Sequence, residues 1–198
     1  MTYAIIGSGN IGSAVARQFA RKGIDVLIAN RRGPTSLADL VKELGISVSA
    51  VPLKEALQAD VIVLAVHFGD VAEVVKEITP KPGRIVVDAT NAIEVPAYTP
   101  IDLGGRPSSA VVEEQLAGAR LVKAFNTLPA AVLAADPVQD GGRRVIFLAG
   151  NDVEANSEIA GLIERLGFSP ITLGKLAEGG LLQQFGGPLM IQNLIKQG

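Results

Sequence analysis

Short apolar runs recur along this chain. Each ends in a glycine- or Asn/Asp-rich break, and most are followed by a segment with apolar residues three and four apart. Runs of four to six apolar residues suit buried strands, and the longer period suits helices packed on them. The opening unit is Tyr3-Ala4-Ile5-Ile6, a strand, then the turn Gly7-Ser8-Gly9-Asn10-Ile11-Gly12 and an amphipathic helix over Ser13–Lys22. A second strand, Val26-Leu27-Ile28-Ala29, ends in Asn30-Arg31-Arg32. Past Gly33-Pro34, Thr35 or Ser36 is placed to cap a helix over Leu37–Leu44, which Gly45 closes. Ile46–Val48 reads as a third strand and Pro52–Gln58 as a short helix. Val61–Val66 is the clearest central strand and runs into His67-Phe68-Gly69. A helix over Val71–Ile78 stops at Pro80-Lys81-Pro82-Gly83, and a fifth strand, Ile85–Val87, ends in Asp88-Ala89-Thr90-Asn91.

Ile93–Pro107 is rich in proline and glycine and reads as a long loop. Ser108–Leu116 reads as a helix and Leu121–Phe125 as a sixth strand, ending in Asn126-Thr127-Leu128-Pro129. Beyond it the pattern predicts a strand at Val145–Ala149, a helix over Val153–Leu166, a strand at Pro170–Leu173 and an apolar helix over Leu189–Ile195. Strands alternating with helices predict the α/β class. The expected architecture is a Rossmann doubly wound parallel sheet of order 3-2-1-4-5-6. The expected division is a nucleotide-binding domain over 1–128 and a small C-terminal α/β extension over 129–198 that closes an acceptor cleft.

Composition narrows the chemistry. Hydrophobic residues make up 48% and charged residues 19%, with few aromatics, as expected of strands buried on both faces. A net charge of −2 argues against a general nucleic-acid surface. The absence of cysteine removes disulfides, thiolate metal sites and thiol nucleophiles. A single histidine, His67, removes a histidine-rich metal site built from this chain alone. No apolar stretch approaches the roughly 18 residues of a membrane span, and no leader pattern precedes the first strand. The expectation is a cytoplasmic protein without membrane or nucleic-acid partners.

The Gly7–Gly12 turn, between strand and helix, has the form that holds a dinucleotide. Gly7 makes the tight turn, Gly9 leaves room for a pyrophosphate, and Gly12 lets the helix close on the sheet. The alternative is a structural turn with no ligand. At the end of the second strand an NAD site usually carries an acid for the ribose hydroxyls. Here Asn30 stands there, and Arg31 and Arg32 suit a 2′-phosphate, so the cofactor reads as NADP(H). The alternative is that both arginines are solvated loop charges. Thr35 or Ser36 could touch the same phosphate instead of capping.

Ligands of such sheets lie beyond the strands' carboxyl ends. That places Ala65, Val66 and His67, then Ala89 and Asn91, against the cofactor. Asp88 reads as a structural group bonding loop N–H groups. Asn126 and Thr127 are candidates for positioning the nicotinamide or the acceptor, or for capping a helix that starts at Pro129. Gly186-Gly187-Pro188 reads as a helix break. The Tyr-x-x-x-Lys arrangement of short-chain reductases is absent, and the chain after Phe125 is too short for a hydroxy-acid substrate domain. An acceptor that manages its own charge, such as a flavin-like ring, needs neither.

Four segments carry a family resemblance: Gly7–Gly12, Asn30-Arg31-Arg32, Lys123–Ala130 and Leu148-Ala149-Gly150-Asn151-Asp152. Together they resemble the NADPH:coenzyme F420 oxidoreductase family over nearly the whole chain. The resemblance implies hydride transfer between NADP(H) and a deazaflavin with no protein proton donor, commonly in a homodimer. It implies that Ser8, Asn10 and Ile11 meet the pyrophosphate, Arg31 and Arg32 the 2′-phosphate, and His67 and Asn91 the nicotinamide half. The chain is also similar to the NADPH-binding domain of membrane ferric reductases, which passes hydride to a flavin. The leading expectation is an NADPH-dependent reductase of a flavin, deazaflavin or similar small-molecule hydride acceptor. The competing one is a sensor module that binds NADPH without turnover.

Overall fold

The computed structural model describes residues 1–116 and 118–198. The first half alternates strand and helix as the apolar runs predict. In order come β1 (Tyr3–Ile6), α1 (Asn10–Arg21), β2 (Val26–Ala29), α2 (Ala38–Leu44), β3 (Val48–Ala50), α3 (Leu53–Ala56), β4 (Val61–Leu64), α4 (Val71–Lys76) and β5 (Ile85–Asp88). Then follow β6 (Ile93–Glu94), β7 (Thr99–Pro100), α5 (Ser108–Glu113), β8 (Arg120–Ala124), α6 (Ala130–Ala134) and β9 (Val138–Gln139). The last part holds β10 (Gly142–Gly150), α7 (Val153–Arg165), β11 (Ser169–Thr172), a π-helical turn at Leu176–Gly180, α8 (Leu181–Gln183) and β12 (Ile195–Lys196).

The main sheet runs β3-β2-β1-β4-β5-β8-β10-β11. Its first six strands are parallel, in the doubly wound order that the alternation predicts. β10 joins antiparallel to β8, and β11 returns parallel to β10 through α7. Alternate strand residues feed two apolar layers. Tyr3, Ile5, Ile28, Val63, Val87 and Val122 face one layer, which includes the buried stripe of α1. Ala4, Ile6, Ile62, Leu64, Val86 and Leu121 face the other, with Val74 and Val75 of α4. Burial on both faces is why these strands carry β-branched runs rather than an alternating pattern.

Several expectations are corrected. The stretch Leu189–Ile195 is not a helix. It follows a turned path, Ile191 N–H donates to the Thr127 carbonyl, and Ile195 enters β12 against β10. A local apolar run cannot signal a pairing whose partner lies some fifty residues away. The long loop contains the hairpin β6–β7, with Ile93 opposite Pro100. The third strand begins at Val48, because Val26 N–H takes the Ser47 carbonyl and fixes the register there. Neither Thr35 nor Ser36 caps α2: Pro34–Leu37 form a 3-10 turn that runs into it, and no side chain caps the junction. Pro129 precedes α6, and neither Asn126 nor Thr127 caps that helix.

Candidate functional site

The carboxyl ends of β1, β2, β4 and β5 open into one cleft of about 560 Å³, a size usual for small-molecule sites. Gly7 has φ of +108°, and a Cβ there would lie 2.2 Å from the Ala65 carbonyl oxygen. A Cβ on Gly12 would lie 2.0 Å from the Gly7 carbonyl oxygen, so these two glycines are demanded by the protein's own packing. Gly9 differs. Its φ is −72°, and an added Cβ would meet nothing within 4 Å. The space over Gly9 is open cleft, beside the first turn of α1. That turn has no side-chain cap and no acid, so its leading N–H groups and dipole are left for an anion. This is the fit expected of a pyrophosphate.

Ser8, Asn10 and Ile11 line the same wall. Asn30 holds the next part of the cleft in shape. Its amide donates to Ser8 Oγ (2.9 Å) and Ser36 Oγ (3.1 Å), and its Oδ1 accepts from Arg32 N–H (2.9 Å). Arg31 and Arg32 both line the cleft, but their surroundings differ. Arg31 reaches Asp70 at 3.1 Å and Glu73 at 3.7 Å. Arg32 has no ion pair among the described residues and is exposed.

Ala65, Val66 and His67 form the middle of the lining, with His67 exposed. Ala89 and Asn91 form the far end. Gly12, Asn126 and Thr127 do not line the cleft. Gly12 lies under the turn, and Asn126 and Thr127 are each only 2% exposed. Asn126 acts on the cleft indirectly. Its Nδ2 donates to Asn91 Oδ1 (3.0 Å) and to the Gln183 carbonyl (2.6 Å), while Asn91 Nδ2 donates to the Asn126 carbonyl (3.1 Å). Phe125, just before it, has φ of +65°, a left-handed conformation that a bulky residue rarely adopts. That turn carries Asn126 beneath Asn91. Asn126 Oδ1 is buried without a partner among the described residues.

Below this end lies a sealed polar cluster. The parallel register sets Asp88 of β5 beside Lys123 of β8, and both side chains are fully buried, 3.2 Å apart. Lys123 also donates to the Thr90 carbonyl. Asp88 accepts from Thr90 N–H, Thr90 Oγ1 and Ser109 Oγ, the structural role expected of it. Burial alone would raise the Asp88 carboxyl. The Lys123 ammonium and the hydrogen bonds from Ser109 and Thr90 outweigh it and hold the group below its ordinary value. The cluster fixes the Ala89–Asn91 turn and is closed to solvent, so it offers no proton to a ligand.

Residues that the sequence pattern did not single out complete the lining. Asp70, Glu73 and Glu77 stand on the wall reached by Arg31, with Leu53 and Val74 also in the lining. Ile93, Val95 and Tyr98 of the hairpin region rise over the Asn91 end. An aromatic in a proline-rich loop three residues after another apolar residue was the available signal for Tyr98.

Comparison with known proteins fits this geometry. Residues 2–92 match the family described as NADP oxidoreductase, coenzyme F420-dependent. The match takes in just under half of the chain. The rat metalloreductase STEAP3 is 30% identical over 178 residues, which is 87% of this chain and 34% of the rat protein. The chain spans about a third of the length of the curated relatives it matches. The crystal structure of a hypothetical protein from Sinorhizobium meliloti is 55% identical, covers 100% of this chain and 96% of that one, and superposes with a TM-score of 0.96. A candidate F420-dependent NADP reductase from an Arthrobacter species shares the fold, at 24% identity, a TM-score of 0.71, and coverage of 89% and 86%. Among the described residues no helix is long and apolar enough to cross a membrane.

Proposed function

We propose that the protein uses NADPH to reduce a flavin-like or deazaflavin ring. The observation that carries the cofactor half is Asn30. An acid at this register would repel a 2′-phosphate and hold ribose hydroxyls. Asn30 instead spends its amide on Ser8, Ser36 and the Arg32 backbone, and so presents a basic loop with no acid at its base. Ser8, Asn10, Ile11 and the open space over Gly9 would hold the pyrophosphate, and Asn91, oriented by Asn126, would meet the nicotinamide amide.

The chemistry supplied by the bound dinucleotide is hydride donation. What the chain itself adds at that end is a largely apolar lining that includes Ala89, Ile93 and Val95, with His67 and Tyr98 as ionisable groups in the same cleft. The Asp88–Lys123 pair is sealed away. Carbonyl or imine reduction calls for a proton donor poised at the reacting atom, whereas a flavin-type ring takes hydride and manages the charge on its own nitrogens. The lining suits the second. The family description, with its F420-dependent chemistry, and the metalloreductase relative support the same reading.

The test is NADPH oxidation followed by absorbance with riboflavin, FMN, FAD and a deazaflavin, each repeated with NADH. The expected result is turnover with at least one ring and a kcat/KM at least tenfold lower with NADH. Tight NADPH binding with no oxidation by any of the four would overturn the reductase reading in favour of a nucleotide sensor.

A further inference from the structure

The hairpin β6–β7 is a partition with a cavity on each side. Asn91 and Ile93 line the cleft described above, while Ala92, between them, lines a second cavity of about 340 Å³. That volume is at the small end of the range for small-molecule sites and suits a compound of one or two rings. The Ala92 carbonyl takes the Ile101 N–H (3.0 Å), which ties the base of the hairpin. Ile101, Leu103 and Phe185 give the second cavity an apolar lining, and each is only half-buried.

The polar groups around it are unequally engaged. Ser108 and Ser109 stand side by side on α5, exposed by 1% and 0%. Ser109 Oγ donates to Asp88. Ser108, in the lining of the second cavity, has an Oγ with no hydrogen-bond partner among the described residues. Its N–H donates to Gln184 Oε1 (3.0 Å), which sets the Gln184 carboxamide beside it. The hydrogens on Gln184 Nε2, also in the lining, have no protein acceptor among the described residues. Two donors are therefore left over at one place. The charges are not left over in the same way. Arg106 is paired with Glu114, and Asp102 is an exposed acid whose Oδ1 takes the Gly104 N–H. Among the lining residues no cation remains for an anionic ligand, and Asp102 would repel one.

We propose that this cavity is a second small-molecule site, separate from the nucleotide cleft, for a neutral and mostly apolar compound carrying an acceptor oxygen such as a ketone or amide carbonyl. Ser108 Oγ and Gln184 Nε2 donate to that oxygen, and Ile101, Leu103 and Phe185 enclose the rest. A buried hydroxyl without a protein partner destabilises a fold, and in the lining of a cavity the partner it lacks is one that a ligand can supply. The site does not depend on the NADPH reading of the cleft.

Nuclear magnetic resonance titration of the isotope-labelled full chain tests it, with acetophenone, α-methylstyrene and benzoate as probes of nearly one shape. Acetophenone carries the carbonyl, α-methylstyrene replaces its oxygen with carbon, and benzoate adds a charge. Acetophenone should give saturable shifts at the Ser108 and Gly105 N–H and at the Gln184 side-chain amide, and these should persist when NADPH is added. Affinity for α-methylstyrene should be about fivefold lower or more, the effect of one lost hydrogen bond. Benzoate should bind more weakly than acetophenone. Ser108→Ala should weaken acetophenone by a similar factor while leaving the melting temperature unchanged or higher, because the hydroxyl removed is one that the free protein does not satisfy. Gln184→Glu is the second variant. It keeps an acceptor for the Ser108 N–H, removes the donor, and should weaken acetophenone likewise. Absence of saturation at these positions, equal affinity for α-methylstyrene, or tighter binding of benzoate overturns the proposal. So do shifts confined to Asn91 and His67, or displacement by NADPH, either of which would put the probe in the nucleotide cleft. A clear fall in the melting temperature of Ser108→Ala overturns it too, since the hydroxyl would then be bonded within the protein.

Discussion

At the scale of single residues, the three motif glycines separate folding from binding. Gly7 and Gly12 have no room for a methyl group, because each would drive a Cβ into backbone oxygen. Gly9 has room, an ordinary φ and open cleft above it. Gly7→Ala should therefore cost on the order of 3 kcal/mol or more, from backbone strain and overpacking together. Gly9→Ala should leave the melting temperature within about 2 °C of wild type, since its methyl meets nothing and disturbs no cap. It should nonetheless weaken NADPH binding about tenfold or more, because the methyl stands where the phosphates approach. Thermal melts and nucleotide titrations on the two variants check this. A melting temperature for Gly9→Ala as low as that of Gly7→Ala would contradict it. The motif was legible in the sequence because its demands are local: a turn, a close approach and a helix start within six residues. The acids that face Arg31 were not legible. Asp70 lies 39 residues from it and sits in a segment whose charges read as an ordinary solvated helix face.

At the scale of elements, local pattern located most strands and helices but not the way the last ones join. The parallel strands carry their signal in their own apolar runs. β10 reads as a short strand around Val145–Ala149 yet extends over nine residues, because β9 and β12 extend its pairing beyond the stretch that meets β8 and β11. A helical reading of Leu189–Ile195 fails for the same reason: its backbone partners are Thr127 and β10, both remote in sequence. Junctions between helices depend on such remote partners too. Gln18 of α1 is 1% exposed, and its amide donates to the carbonyls of Leu133 (2.6 Å) and Ala135 (2.8 Å) at the end of α6. An isolated glutamine on an apolar helix face gives no hint of that bond. Gln18→Ala leaves the Leu133 carbonyl buried without its donor and should cost about 2 kcal/mol, a drop of roughly 4–8 °C for a domain of this size. A change of under about 0.5 kcal/mol in urea titrations would show that water or Arg21 takes over both carbonyls.

At the scale of the whole molecule, the sheet carries a buried charge pair at its centre, and this sets how the fold responds to acid. Asp88 has a carboxyl held below its unfolded value of about 3.9. The native state therefore refuses a proton that the unfolded chain accepts. The stabilisation is fully present above about pH 5 and is lost as pH falls through the unfolded value toward the lower native one. Asp60, lowered by the Lys81 and Thr2 hydrogen bonds, has the same sign. Urea midpoints should accordingly be flat from pH 7 to about pH 5 and decline below. Lys123→Met reverses the Asp88 contribution. Without the ammonium, burial dominates and raises the carboxyl, so the variant should be about 3–5 kcal/mol less stable at pH 7. Its deficit should shrink as acid protonates Asp88. A deficit that stays constant from pH 7 to pH 4 would mean that the pair does not govern this part of the fold.

The two tyrosines occupy opposite situations, and that gives the molecule a built-in optical contrast. Tyr3 packs in the core at 5.4 Å from Phe19, with Arg165 over its ring, while Tyr98 stands 65% exposed on the hairpin beside the cleft. The chain has no tryptophan to mask them. Ultraviolet emission from this protein is therefore the sum of one interior signal and one rim signal, and Tyr98→Phe subtracts the second. What remains reports unfolding; what is removed reports ligand arrival. Folding and occupancy can be read from the same cuvette without attaching a dye.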